Sequence, residues 1–248
     1  MKKLILGILA VITTITLMAC GNQKVEEITP NTNNNSVIDT TDNSDSKIDT
    51  NESTSLTNEK MYETIINSYK NAITEYNLDD IDMDVTIEEK YPLVNASLLM
   101  HVARYSGEGV RLTYAFYDID KNGIDELIVG ASGSYAAIYS YDKTSKQPVK
   151  ICFLDTIERG SLSIYDNGVL VTSGAGGAAL HYYEFGKIST SGVDYELLEC
   201  IEEEYVAENE APIYRDNNTR NELEYKGLDE IMDKYISNSA EIENIKYI

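Results

Sequence analysis

Between Val110 and Glu203 the chain runs through eight short stretches of β-rich, largely alternating residues: VRLTYAFYDI, DELIVGA, YAAIYSYD, PVKICFLDTI, SLSIYD, GVLVTSG, LHYYEFGKI and DYELLECIEE. A period of two sends successive side chains to opposite faces of a strand. Turn residues separate the stretches and no segment of helical period falls between them. Strands joined this tightly must be antiparallel neighbours, because a parallel pair needs a crossover of a dozen or more residues. Asn167-Gly168 in YDNGVLV is the strongest short hairpin signal. The expectation is an antiparallel β-meander of about eight strands from about Val110 to Cys200.

Helices are expected at both ends of this sheet. From Glu59 to Tyr76 the apolar residues Met61, Ile65, Ile66, Tyr69, Ala72, Ile73 and Tyr76 follow the helical period, with Thr57 or Asn58 as cap. A second helix is expected from near Pro92, a favoured first-turn residue, with Leu93, Ala96, Leu99, Met100 and Ala103 along one side. His101 lies among them as a packing histidine. TIEE at Thr86 fits a capping box, but a helix begun there would carry Pro92 in its interior, so the later start is preferred. LDEIMDKYI, with Leu228, Ile231, Met232 and Tyr235 in phase, closes the chain as a C-terminal helix. The fold class is α+β: N-terminal helices, the meander, and a C-terminal helix in a single domain over 57–248.

The first twenty residues, MKKLILGILAVITTITLMAC, have two lysines, a short apolar run and a small residue before Cys20. That is the order of a secretory signal. The run is interrupted by Thr13, Thr14 and Thr16 and falls short of the roughly 20 apolar residues of a spanning helix. Leu17 to Cys20 resembles the lipobox of bacterial lipoproteins. The resemblance implies a signal peptide over 1–19, diacylglycerol on the Cys20 thiol, and anchorage on the extracytoplasmic face of the cell membrane. Two or three acyl chains, at about 0.8 kcal/mol per buried methylene, anchor stably where one does not. Residues 20–56 are then a tether of Asn, Ser, Thr and Asp without an aromatic residue. It buries too little apolar surface to offset its ordering entropy, and as a coil spans on the order of 30 Å.

The formal net charge is −22, and −24 once residues 1–19 with Lys2 and Lys3 are removed. Such a chain does not seek nucleic acid through charge. Besides Cys20, Cys152 and Cys200 lie in apolar strand-like runs. Outside the cell they could pair; otherwise they are small buried hydrophobes.

The chemistry-bearing stretch is YDIDKNGIDELIVG, Tyr117 to Gly130. With Asp118 as position one, Asp120 is three, Asn122 five, Gly123 six, Ile124 seven and Glu126 nine. Alternate oxygen-bearing side chains in a tight loop converge on one point, and a hard cation wants six to eight oxygens at about 2.3–2.6 Å. An EF-hand begins this way but needs Glu at twelve, where Val129 stands, and flanking helices. The loop resembles the calcium loop of FG-GAP and integrin-type propeller repeats, Asp-x-Asp-x-Asp-Gly-x-x-Asp before a strand. The resemblance implies calcium held by Asp118, Asp120, Asn122, the Ile124 carbonyl and Glu126, in a structural role. Asp125 falls outside the pattern and is expected to face water. A metal-free Asn122-Gly123 turn is the alternative. The loop has no second copy, so a full propeller is not supported.

Two other motifs lack their context. Gly174 to Ala179, GAGGAA, fits a dinucleotide-binding pattern but is followed by strand-like LHYYEF where a helix is required. SYDK at Ser140 to Lys143 matches Ser-x-x-Lys without the helix that motif needs. No catalytic set is legible. The expected function is a non-enzymatic surface lipoprotein whose calcium-stabilised domain binds an extracellular ligand of unknown identity or serves in adhesion. The alternatives are a cell-envelope hydrolase with its site near His181, and a solute-capture protein.

Overall fold

The computed structural model describes residues 56–75, 84–207 and 210–248. The expected signal peptide, Cys20 and the tether up to residue 55 lie outside the described residues. Among the described residues no helix is long and apolar enough to cross a membrane.

Among the described residues four helices open the domain: α1 (Asn58–Met61), α2 (Glu63–Glu75), α3 (Asp84–Lys90) and α4 (Ala96–Arg104). Thr57 caps α1 by accepting from the Lys60 amide. The single helix expected from Glu59 is thus two, broken at Tyr62. The segment around Thr86 does form a helix, which corrects the expectation. It ends at Lys90, before Pro92 could enter it, and α4 starts anew at Ala96 behind an Asn95 cap.

Ten strands follow: β1 (Leu112–Tyr117), β2 (Glu126–Ala131), β3 (Ser134–Asp142), β4 (Gln147–Phe153), β5 (Gly160–Ile164), β6 (Val169–Gly177), β7 (Leu180–Ile188), β8 (Tyr195–Glu204), β9 (Ile213–Asp216) and, after helix α5 (Leu228–Tyr235), β10 (Lys246–Tyr247). All pairings are antiparallel, in the order β10-β1-β2-β3-β5-β6-β7-β8-β9, with β4 on β3. The eight expected strands are β1 to β8; β9 and β10 are edge strands of four and two residues, too short to show a period. The meander also forks. β4 takes Ala137–Asp142 of β3, and β5 meets β3 only at Tyr135↔Leu162.

Side-chain alternation sorts the core into layers. Leu112, Leu127, Val129, Ala137 and Tyr139 face the helices with Tyr62, Ile65, Tyr69, Leu98 and Leu99. The opposite faces of β2 and β3 place Ile128 and Ile138 against Leu162, Ile164 and Leu170 of the next meander. That meander's far face, Val171, Phe185 and Ile201, receives Ile231 and Met232 of α5. The order is helices, half-sheet, half-sheet, helix.

One buried polar circuit docks the helices. The Asn95 amide N–H donates to Tyr69 Oη at 3.0 Å, Tyr69 and Tyr139 hydroxyls meet at 2.9 Å, and Tyr139 donates to the Leu93 carbonyl. Asn95 Nδ2 donates to the carbonyls of Ala136 (3.1 Å) and Leu154 (3.0 Å), while its Oδ1 accepts from Leu98 N. Burial pushes the Tyr69 phenol up to about 12, so it stays protonated as a donor. Asn95→Ala should therefore destabilise the domain by about 3 kcal/mol, since it strips a helix cap and two buried acceptors of their donor. Urea denaturation measures this; a loss under about 0.5 kcal/mol, the level of an ordinary surface change, would contradict the role.

Candidate metal centre

β1 ends at Tyr117 and β2 begins at Glu126, and the connection between them turns on Gly123 at φ +85°. Three of the expected ligands are brought together: ligand atoms of Asp118, Asp120 and Glu126 lie within 4.8 Å of one another. Asp118 Oδ2 accepts from Gly123 N at 3.1 Å, while its Oδ1 is buried with no hydrogen-bond partner among the described residues. Asp120 Oδ1 accepts from Asn122 N at 3.0 Å, and its Oδ2 takes the Asn122 amide at 2.7 Å. Asn122 Oδ1 accepts from Ile124 N at 2.9 Å. Asn122 is therefore at the cluster through Asp120, and Ile124 touches it through its own N–H. Lys121, at φ +61°, turns outward and donates to the Asp118 carbonyl at 2.8 Å and the Tyr117 hydroxyl at 3.1 Å.

Glu126 is fully buried. Its Oε2 accepts from Ile119 N at 2.8 Å and its Oε1 from Ser140 Oγ at 3.1 Å. Desolvation, then repulsion from Asp120 and Asp118, raises its carboxyl to about 7 against the two hydrogen bonds. Asp125 departs from expectation. It is half-buried and engaged: its carboxylate accepts from Asn58 Nδ2 at 2.6 Å, and its carbonyl accepts from the Tyr62 hydroxyl at 2.9 Å. The loop is thus pinned inward by Glu126 and outward by Asp125.

The donor set fits a hard cation. Three carboxylates converge, one oxygen is buried without a partner among the described residues, and burial raises one carboxyl toward neutral pH, a cost that a cation's charge would offset.

Sequence reading missed the neighbours. Ser140, set aside with the Ser-x-x-Lys pattern, is the buried donor to Glu126. The β7–β8 connection approaches as well, a Cβ on Gly192 falling 3.4 Å from Asn122 Nδ2 and 3.7 Å from Asp120 Oδ2. A Cβ on Gly168 would meet the Ile119 carbonyl at 2.9 Å, so the Asn167-Gly168 hairpin seats against the same loop. A short-range pattern signals neither contact.

Elsewhere, Gly174 to Gly177 end β6 and turn into β7 without the helix that the dinucleotide-binding pattern requires. His181 sits on β7 opposite Glu203, its ring edge against Tyr205 at 6.1 Å. His101 packs against Tyr105 at 4.9 Å. Glu203, nearly buried, accepts from the hydroxyls of Tyr183, Tyr205 and Tyr214. Cys152 and Cys200 are both buried, in β4 and β8.

No family model matches the chain, and no curated protein does. A solved structure of a Xanthomonas type IV secretion system related protein aligns with 17% identity over 45% of this chain and 57% of that one, with a TM-score of 0.33. The alignment thus spans little more than half of that protein, and a likeness this slight carries no argument.

A raised folded carboxyl favours the folded state while it is protonated. As pH climbs from the unfolded value of 4.5 through about 7, that contribution is lost. With chelator present, the metal-free protein should lose ~3 kcal/mol relative to Glu126→Gln between pH 4 and pH 8. Urea midpoints of the two proteins across this range provide the check; a difference that is flat or of opposite sign would refute the assignment.

Proposed function

We propose that the chain is a lipoprotein anchored through Cys20 on the extracytoplasmic face of the cell membrane, and that its folded part is a calcium-stabilised, non-enzymatic binding or adhesion module. The observation that carries the calcium reading is the convergence of Asp118, Asp120 and Glu126 around a buried Asp118 oxygen with no partner among the described residues. Asn122 and the Ile124 carbonyl extend the set, and water completes it. The anchor rests on LMAC at Leu17–Cys20. The role of the ion is structural: the same loop joins two paired strands, touches two other turns and is held to the helices through Asn58 and Tyr62. The chain's residues position the ion; the ion supplies the charge that lets three carboxylates share one site.

Affinity is expected on the order of 10⁻⁴–10⁻³ M, as in extracellular modules. At tenfold excess over its dissociation constant the ion then stabilises the fold by about 1.4 kcal/mol. Thermal melts with chelator and with millimolar calcium should differ by roughly 3–6 °C, and Asp120→Ala should abolish the difference. Identical melting of the unmutated protein in both conditions, with no calcium heat by calorimetry, would leave only an acidic turn. For the anchor, metabolic labelling with a fatty-acid analogue should mark the protein and fail to mark Cys20→Ala. Equal labelling of the two would rule the lipid site out.

A further inference from the structure

Asn122 and Gly123 are both exposed in the β1–β2 connection, and their hydrogen bonds place a group at each atom that an internal condensation uses. In an Asn-Gly pair the glycine nitrogen can attack the preceding side chain, because glycine has no Cβ to obstruct the approach. The attacking atom is Gly123 N, whose hydrogen is held by Asp118 Oδ2 at 3.1 Å, within reach of a general base. The atom attacked is Cγ of Asn122. Its Oδ1, where negative charge develops, accepts from Ile124 N at 2.9 Å, the distance of an oxyanion donor. The leaving atom is Asn122 Nδ2, which donates to Asp120 Oδ2 at 2.7 Å. The chain carries its own comparison in Asn167-Gly168, its other Asn-Gly pair. There Oδ1 also meets an amide, Val169 N at 3.2 Å. Gly168 N, however, donates to the Tyr165 carbonyl at 3.0 Å and Asn167 Nδ2 to the Tyr235 carbonyl at 2.8 Å, and a carbonyl is no general base. Gly168 is buried as well, whereas a Cβ on Gly123 would meet nothing within 4 Å.

We propose that Asn122 is a self-modification site, deamidating through a succinimide with Asp118 as the base and water as the co-reactant. As Gly123 N bonds to Asn122 Cγ, its proton passes to Asp118. The Cγ–Nδ2 bond then breaks, and Nδ2 takes up that proton and leaves as ammonia. Water opens the ring at one carbonyl to give aspartate and at the other to give isoaspartate at position 122; nothing is oxidised or reduced. The aspartate product adds a carboxylate at position five of the loop, while the isoaspartate product lengthens its backbone by one carbon. The reaction needs neither the ion nor the lipid and goes beyond the reading of the domain as a binding module.

The test incubates the full chain with chelator at neutral pH in ¹⁸O-water and follows both Asn-Gly pairs by peptide mass spectrometry. Loss of ammonia reports the succinimide, and heavy oxygen at the asparagine position reports its hydrolysis. Asn122 should convert roughly tenfold or more faster than Asn167, and Asp118→Asn should slow Asn122 by about the same factor while leaving Asn167 unchanged. Unfolding in urea should slow Asn122 and bring the two pairs to similar rates. Asn122 reacting no faster than Asn167, a rate unchanged or raised by Asp118→Asn, or faster conversion in urea than in the folded protein would each overturn the proposal. The urea comparison uses the unmutated protein, so it decides even where Asp118→Asn fails to fold. Because chelator is present throughout, a negative result leaves the calcium reading untouched.

Discussion

The burial of Glu126 is the constraint on which the metal loop and its surroundings depend. Its carboxylate is fully enclosed, yet it does not meet a lysine or arginine there; it meets the amide of Ile119 and the hydroxyl of Ser140. Those two bonds tie the start of the loop and the middle of β3 to the first residue of β2. A carboxylate with two neutral donors and two acidic neighbours is poorly compensated, which is why it holds its proton up to about pH 7. The next residue back, Asp125, points the other way and binds Asn58. One peptide step thus joins the helical layer to the interior between the half-sheets.

β8 applies the same alternation to charge. Glu199 and Glu203 face the α5 side and Glu202 the other. Glu203 is satisfied by three tyrosine hydroxyls; Glu199 by Tyr225, Tyr235 and Lys234. Glu202 is met by Arg220 and, at 3.8 Å, by Arg215. Buried carboxylates need such donors, and here tyrosine supplies most of them. The many tyrosines of this acidic chain therefore have a structural use that composition alone does not reveal.

Much of this was legible in residue order. The period-two runs located β1 to β8, and Asn167-Gly168 located a hairpin, because both signals are local. The oxygen spacing from Asp118 to Glu126 pointed to a cluster that the fold gathers in part. What stayed hidden was long-range or short. β9 and β10 have too few residues to carry a pattern. The fork at β3 depends on which strand fills a vacant edge, which turn chemistry does not encode. α3 was rejected on the strength of Pro92, yet the helix stops at Lys90 and the proline never enters it. Asp125 looked idle because its partner, Asn58, lies 67 residues away.

The short pairing of β10 with β1 has a consequence in time. Thr113 and Tyr114 have Tyr247 and Lys246 as their outer neighbours, and Lys246 also reaches Glu59. About 130 residues separate the end of β1 from that partner. The meander can zip up strand by strand behind β1 through local pairings, while that edge and the Glu59 contact stay open. Residues 246–247 thus cover that edge through a contact of long sequence separation, where the meander's own pairings are local.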